Sequence, residues 1–224
     1  IFGDAEWAIR IGSPLLHART ALLVFGIARR CFDARIGMFS ALAYLTTPGV
    51  SYSSGLISTD APLLFFWAMA LYAFIRAIDD PRWRWAILGG IAFGLGLEAK
   101  YAMFYLLLCA GVAALLSKDA RKVVLSGRGF AILVIGLLLL LPNVLWNAAH
   151  HFPTVAHTEH NADWSAAKYS VSETLSFIGG QFGVFGPVLM AGLLIAFWQL
   201  GRGPERSSKS LVLAAFCAPP LVLI

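Results

Sequence analysis

The sequence is short of charge. Only 13% of its 224 residues are Asp, Glu, Lys or Arg, where a soluble domain carries roughly 25%. Together with 59% apolar residues and a mean hydropathy of +0.76, this excludes an ordinary water-soluble domain. Cysteine is scarce as well. Cys31, Cys109 and Cys217 lie in or beside apolar runs, and their spacing matches neither a metal site nor a disulfide framework, so they read as small apolar packing residues. A nucleotide loop is also missing. Gly94-x-Gly96 falls short of a dinucleotide fingerprint. The glycines at 89, 90, 94 and 96, and at 179, 180, 183 and 186, read instead as points where helices pack closely.

What the chain does have is long apolar runs separated by basic clusters. Most of its 17 Lys and Arg residues fall at Arg29/Arg30/Arg35, Arg76/Arg82/Arg84, Lys118/Arg121/Lys122/Arg128 and Arg202/Arg206/Lys209. These clusters occupy every second gap, the pattern that marks cytoplasmic loops of a multi-spanning membrane protein. The formal charge of +5 is spread over those loops. It suits anionic lipid headgroups and implies no nucleic-acid partner.

A bilayer core takes about 20 helical residues. Cut to that length, the chain is an all-α polytopic transmembrane helical bundle with spans near 12–28, 36–53, 61–78, 85–97, 101–116, 130–147, 174–200 and 211–224. The 85–97 and 101–116 pieces flank Glu98-Ala-Lys100. They are read as two short helices meeting at a tight outer turn, because a single long span would break the alternation of charge. At about 1.5 Å per residue, the 85–97 helix reaches only about 20 Å, which sets the turn below the membrane surface against a cavity. With that parity, residues 1–11, 53–60, 98–100 and 148–173 face outward, and 29–35, 79–84, 117–129 and 201–210 face inward. The chain opens on Ile1 and closes inside an apolar run, so it is expected to be part of a longer protein.

The outer gaps hold the residues that can do chemistry. Asp60, two residues before Pro62, has the sequence setting of a helix N-cap. A carboxylate at the membrane boundary can also hold a metal ion or a cation. Glu98 and Lys100 lie at membrane depth, where ionisable groups are costly and face a cavity or each other. Lys is a compact point charge suited to phosphate; its bland alternative is snorkelling to the interface. The loop from Asn147 to Asp163 carries His150, His151, His157 and His160. These are metal-ligand residue types without a closed zinc spacing, and solvated loop histidines are the plainer account.

Four stretches together carry a family likeness. They are Phe2-Gly-Asp-Ala-Glu-Trp-Ala-Ile-Arg10, Ser58-Thr-Asp-Ala-Pro-Leu-Leu-Phe-Phe66, Gly94-Leu-Gly-Leu-Glu-Ala-Lys100-Tyr and Pro142-Asn-Val-Leu-Trp-Asn147. In order and spacing the chain resembles the bacterial members of the dolichyl-phosphate-mannose protein mannosyltransferase superfamily, glycosyltransferase family 39, including the aminoarabinose-transferase-like enzymes.

The resemblance implies a GT-C type fold in the bacterial inner membrane with its active site facing the periplasm or exterior. It implies an enzyme that moves a sugar from a polyprenyl-phosphate carrier to an acceptor that is a glycan, a lipid or a protein. It further implies that Asp60 is a supporting acidic residue, that Lys100 meets the carrier phosphate with Arg10 assisting and Glu98 near the substrate, and that His157 or His160 ligates a divalent metal ion. The family's main catalytic carboxylate is expected upstream of Ile1. Two rivals remain, a secondary transporter and a non-catalytic membrane scaffold. Candidate charges gathered at one face, with no internal repeat, argue against the transporter.

Overall fold

A computed structural model describes residues 10–154, 171–202 and 207–223. These residues form helices and no strand. In chain order the helices are α1 (Gly12–Cys31), α2 (Ala34–Thr46), α3 (Pro48–Ser54), α4 (Asp60–Asp79), α5 (Trp83–Ala99), a 3-10 turn (Tyr101–Phe104), α6 (Tyr105–Leu116), α7 (Lys118–Val124), α8 (Gly127–Ala149), α9 (Val171–Phe185), α10 (Pro187–Arg202) and α11 (Ser208–Leu223). α4 and α8 are each long and apolar enough to cross a membrane. On α8, Leu137, Leu138, Leu141 and Leu145 stay exposed, an apolar face of the kind that lipid covers.

The core follows α1, α4, α5 and α8, each packed on the next, with α11 closing against α6. Phe93, Ile75, Leu97 and Met103 are the largest side chains shut off from solvent. Glycine sets the α5–α8 distance. A Cβ on Gly90 would lie 2.7 Å from Ile135 Cβ, and one on Gly94 would lie 2.7 Å from Leu139 Cβ and 2.9 Å from the Gly136 carbonyl. The helices therefore touch backbone to side chain, as small-residue stripes allow, and they run parallel.

One end of the bundle is basic and tied by ion pairs. Asp79 accepts from Arg30 Nε at 2.8 Å and Lys209 Nζ at 3.0 Å, which joins α4 to α1 and α11. Asp80 accepts from Arg82 Nε, Arg84 and Trp85 Nε1. The Trp85 ring lies between the guanidinium groups of Arg76 and Arg84, at 4.2 and 4.6 Å. Asp33, Ser117 and Ser126 cap α2, α7 and α8, which begin at this end, each accepting a backbone N–H left without a partner by the first turn.

Among the described residues only α4 and α8, and α9 with α10 if the bent pair is one span, are long and apolar enough to cross a membrane. The helices depart from the expected span bounds in ways that the backbone explains. The 36–53 span is two helices, because Pro48 holds Thr47 extended at ψ 126°, outside the helical region. The 174–200 span is also two helices, bent by 107° at Gly186-Pro187. Gly186 has φ +79°, a left-handed conformation that glycine takes without strain. The 117–129 loop contains α7, which buries Ala120 and Val123 and leaves Lys118, Arg121 and Lys122 on its outer side or edge. The 101–116 helix opens with a 3-10 turn, and the 85–97 and 101–116 pieces are separate, as the charge alternation requires.

Candidate functional site

The opposite end of the bundle brings together residues far apart in sequence. Lys100 is the break between α5 and the 3-10 turn. Its backbone is extended (φ −163°, ψ 133°), which ends α5 and swings the side chain toward α4. Its Nζ meets Asp60 Oδ1 at 2.8 Å. Both side chains are about half exposed, 48% for Lys100 and 50% for Asp60, so the pair is open to a ligand. Asp60 is not the cap. Thr59 holds the N-cap position without a side-chain bond, and Asp60 is the first residue of α4. Its carboxylate still lies favourably for the helix dipole, but its hydrogen bond goes to Lys100.

Glu98, the penultimate residue of α5, points to a different partner. Its Oε2 accepts from Asn143 Nδ2 of α8 at 3.1 Å. The Asn143 oxygen accepts from Tyr101 OH and from Asn147 Nδ2, both at 2.9 Å. Asn147 Oδ1 in turn accepts from the backbone N–H and the hydroxyl of Thr154. Glu98, Lys100, Tyr101, Tyr105, Asn143 and Thr154 are among the residues that line an open cavity of about 1010 Å³. The Glu98–Lys100 contact that a mutually neutralising pair requires does not form, because each side chain has its own partner on another helix.

Arg10 lies at the same end. Its guanidinium donates to the Gly55 carbonyl at 3.3 Å, on the segment that leads into Asp60, and no described contact joins it to Lys100. His157 and His160 lie outside the described residues. Among the described residues, no group of three His, Cys, Asp or Glu side chains could hold a metal ion.

Two features escape a reading of the sequence. The asparagine pair on α8 has a visible signal, two amides four residues apart in an apolar run, which places both on one helix face. His17 is the other. It is 2% exposed and bonded through both ring nitrogens, to Tyr44 OH at 2.8 Å and Ser53 Oγ at 2.7 Å. With Ser13 bonded to the Ser53 carbonyl, it fastens α3 to α1 close to the Arg10–Gly55 contact.

Comparison with known proteins identifies the family. Residues 1–146 match the family described as dolichyl-phosphate-mannose-protein mannosyltransferase. The lipid A galacturonosyltransferase RgtD of Rhizobium johnstonii is 34% identical over 222 residues, which is 99% of this chain and 46% of that protein. The lipopolysaccharide core galacturonosyltransferase RgtA of the same organism is 34% identical over 128 residues, 55% of this chain and 26% of that protein. An undecaprenyl phosphate-alpha-4-amino-4-deoxy-L-arabinose arabinosyl transferase of Pseudomonas paraeruginosa is 29% identical over 156 residues, 67% of this chain and 28% of that protein. The chain thus spans about half the length of these curated relatives or less. No solved structure matches.

Proposed function

The chain belongs to the dolichyl-phosphate-mannose-protein mannosyltransferase family, and on that premise we propose that the protein is a membrane glycosyltransferase using a polyprenyl-phosphate-linked sugar. The family fold is an all-α membrane bundle of GT-C type, in keeping with the helices described above. The observation that carries the proposal is the half-exposed Lys100–Asp60 pair, whose Lys100 lines a cavity of about 1010 Å³, at the end away from the basic clusters. By the positive-inside rule that end faces the periplasm or exterior of a bacterial inner membrane.

The chemistry follows from charge. An acceptor hydroxyl oxygen forms a bond to the anomeric carbon, and the bond from that carbon to the carrier phosphate breaks, its electron pair leaving with the phosphate. Negative charge grows on the phosphate as this happens, and a preorganised cation lowers the barrier. Lys100, in the cavity wall, suits that role, and Asp60 holds its ammonium in place. The hydroxyl proton passes to a carboxylate acting as general base, to which Asp60 is a supporting acid rather than the base itself. Glu98 accepts hydrogen bonds from the substrate, and Arg10 braces the segment ahead of Asp60. The carrier's apolar tail stays in lipid while its headgroup reaches the cavity, and the acceptor is a glycan, lipid or protein of the cell envelope.

The test is sugar transfer by the full-length protein in detergent from a radiolabelled polyprenyl-phosphate sugar. Wild type should release label from the lipid, and Asp60→Asn and Lys100→Ala should lose most of that release while remaining folded. Absence of release from wild type with uronic acid, amino-sugar and neutral-sugar donors alike would reject the proposal.

A further inference from the structure

Asn143 and Asn147 lie on one face of α8, and their amides form a hydrogen-bond relay with a single direction. Thr154 donates to Asn147 Oδ1 from its backbone N–H at 3.2 Å and from its hydroxyl at 2.6 Å. Asn147 Nδ2 donates to Asn143 Oδ1 at 2.9 Å, and Asn143 Nδ2 donates to Glu98 Oε2 at 3.1 Å. Tyr101 OH adds a second donor to Asn143 Oδ1 at 2.9 Å. Each amide receives at its oxygen and gives from its nitrogen, and the relay ends on a carboxylate.

The far end of the relay is held under strain. Asn147 is only 4% exposed, and its carbonyl accepts from the N–H groups of His150 and Phe152 at 3.1 and 2.8 Å. His151 and Phe152 both have positive φ, 62° and 56°. That conformation is unfavourable for side chains of this bulk, and it persists only where the surroundings impose it. Asn147 therefore fixes the turn twice, through its main chain and through its side chain. The outcome is that Thr154 and Glu98 are set in one wall of the cavity.

We infer that Asn143 and Asn147 are positioning residues that fix Glu98 as a hydrogen-bond acceptor for a hydroxyl or amino group of the ligand. The relay occupies one carboxylate oxygen with an N–H, and the remaining lone pairs meet whatever enters the cavity. A ligand carboxylate or phosphate at that position is repelled, and a hydroxyl or ammonium is bound. The inference rests on the reading of the cavity as a sugar-transfer site.

The test uses the full-length protein with Asn143→Asp, alone and combined with Glu98→Gln. Aspartate at 143 faces the Glu98 carboxylate across what was a 3.1 Å hydrogen bond. The two carboxylates share a proton at low pH and repel once both ionise. Relative to wild type at each pH, the loss in Asn143→Asp should be smallest around pH 5. By pH 8 it should lose at least tenfold in kcat/KM, with a parallel drop in melting temperature. In the double variant the glutamine amide donates to the new carboxylate, so the pH dependence should vanish from both readouts.

Among the described residues, the other ionisable groups at this end include Asp60, Lys100, Arg10, His17, Tyr44, Tyr52, Tyr101, Tyr105, His150 and His151. Asp60 is bonded to Lys100, Tyr101 to Asn143, and His150 Nδ1 pairs with the Trp146 carbonyl. Taking wild type as the reference at every pH cancels their titration. A loss in Asn143→Asp that does not vary with pH, or a pH dependence that survives Glu98→Gln, would overturn the inference. A wild type without transfer would instead end the sugar-transfer reading and the ligand assignment with it. The melting profiles would still decide whether Asn143 and Glu98 are coupled.

Discussion

Substituting Asp60→Asn and Lys100→Met, singly and together, separates a pair kept for catalysis from one kept for stability. With Nζ and Oδ1 at 2.8 Å, the bare attraction is about 6 kcal/mol at an effective dielectric of 20 and about 1.5 kcal/mol in bulk water. Side chains 48% and 50% exposed lie nearer the water limit, and exposed pairs contribute about 0.2–1 kcal/mol when measured by double-mutant cycles. The stability cycle should therefore give a coupling of about 1 kcal/mol or less. Transfer should respond far more, because removing one preorganised donor from a developing anion costs about 2.7–4 kcal/mol, or roughly 10²–10³ in kcat. Since the two groups act as a unit, the double variant should be about as slow as the slower single one. The assays are thermal unfolding and single-turnover transfer on the same four proteins. Losses in activity below tenfold that simply add, or a stability loss above about 3 kcal/mol with activity falling in proportion, would refute the reasoning.

The parts of this arrangement that were legible in the sequence are those set by local pattern. Basic clusters alternating with apolar runs located the helix ends at Arg29–Arg35 and Arg76–Arg84. The charge alternation placed a chain reversal at Lys100, where the backbone is extended. The glycines at 90 and 94 announced a close helix contact, although not that α8 would supply it. Hydropathy carried straight through Pro48 and Gly186-Pro187, because composition is blind to a backbone that changes direction between equally apolar residues. The partnership of Asp60 with Lys100 spans 40 residues, and that of Glu98 with Asn143 spans 45. No spacing rule reaches that far. Such pairs are fixed only once α5 has packed between α4 and α8, so the sequence could nominate Asp60, Glu98 and Lys100 but could not say who binds whom.

Two further perturbations probe the frame that holds the site. Gly94→Leu should destabilise the protein by about 1–3 kcal/mol through overpacking, since even its Cβ would lie 2.7 Å from Leu139 Cβ. Gly111→Ala, with nothing within 4 Å of the new Cβ, should be neutral or gain up to about 1 kcal/mol of helix propensity, and equal effects in unfolding assays would contradict the packing. The basic end offers the second test, through Asp80→Asn. Hydrogen bonds from Arg82 first, then from Trp85 and Arg84, hold the Asp80 carboxyl well below the usual carboxylate range. A carboxylate whose folded-state pKa is depressed contributes stability that is complete above its unfolded pKa of about 3.9 and is lost as pH falls through the folded value. The melting-temperature difference between wild type and Asp80→Asn should accordingly stay constant from pH 8 down to about pH 5, and shrink only below about pH 4. A difference that already disappears between pH 8 and pH 6 would show that another group titrates in its place, and that the clasp of Arg82, Arg84 and Trp85 on Asp80 does not hold this end together.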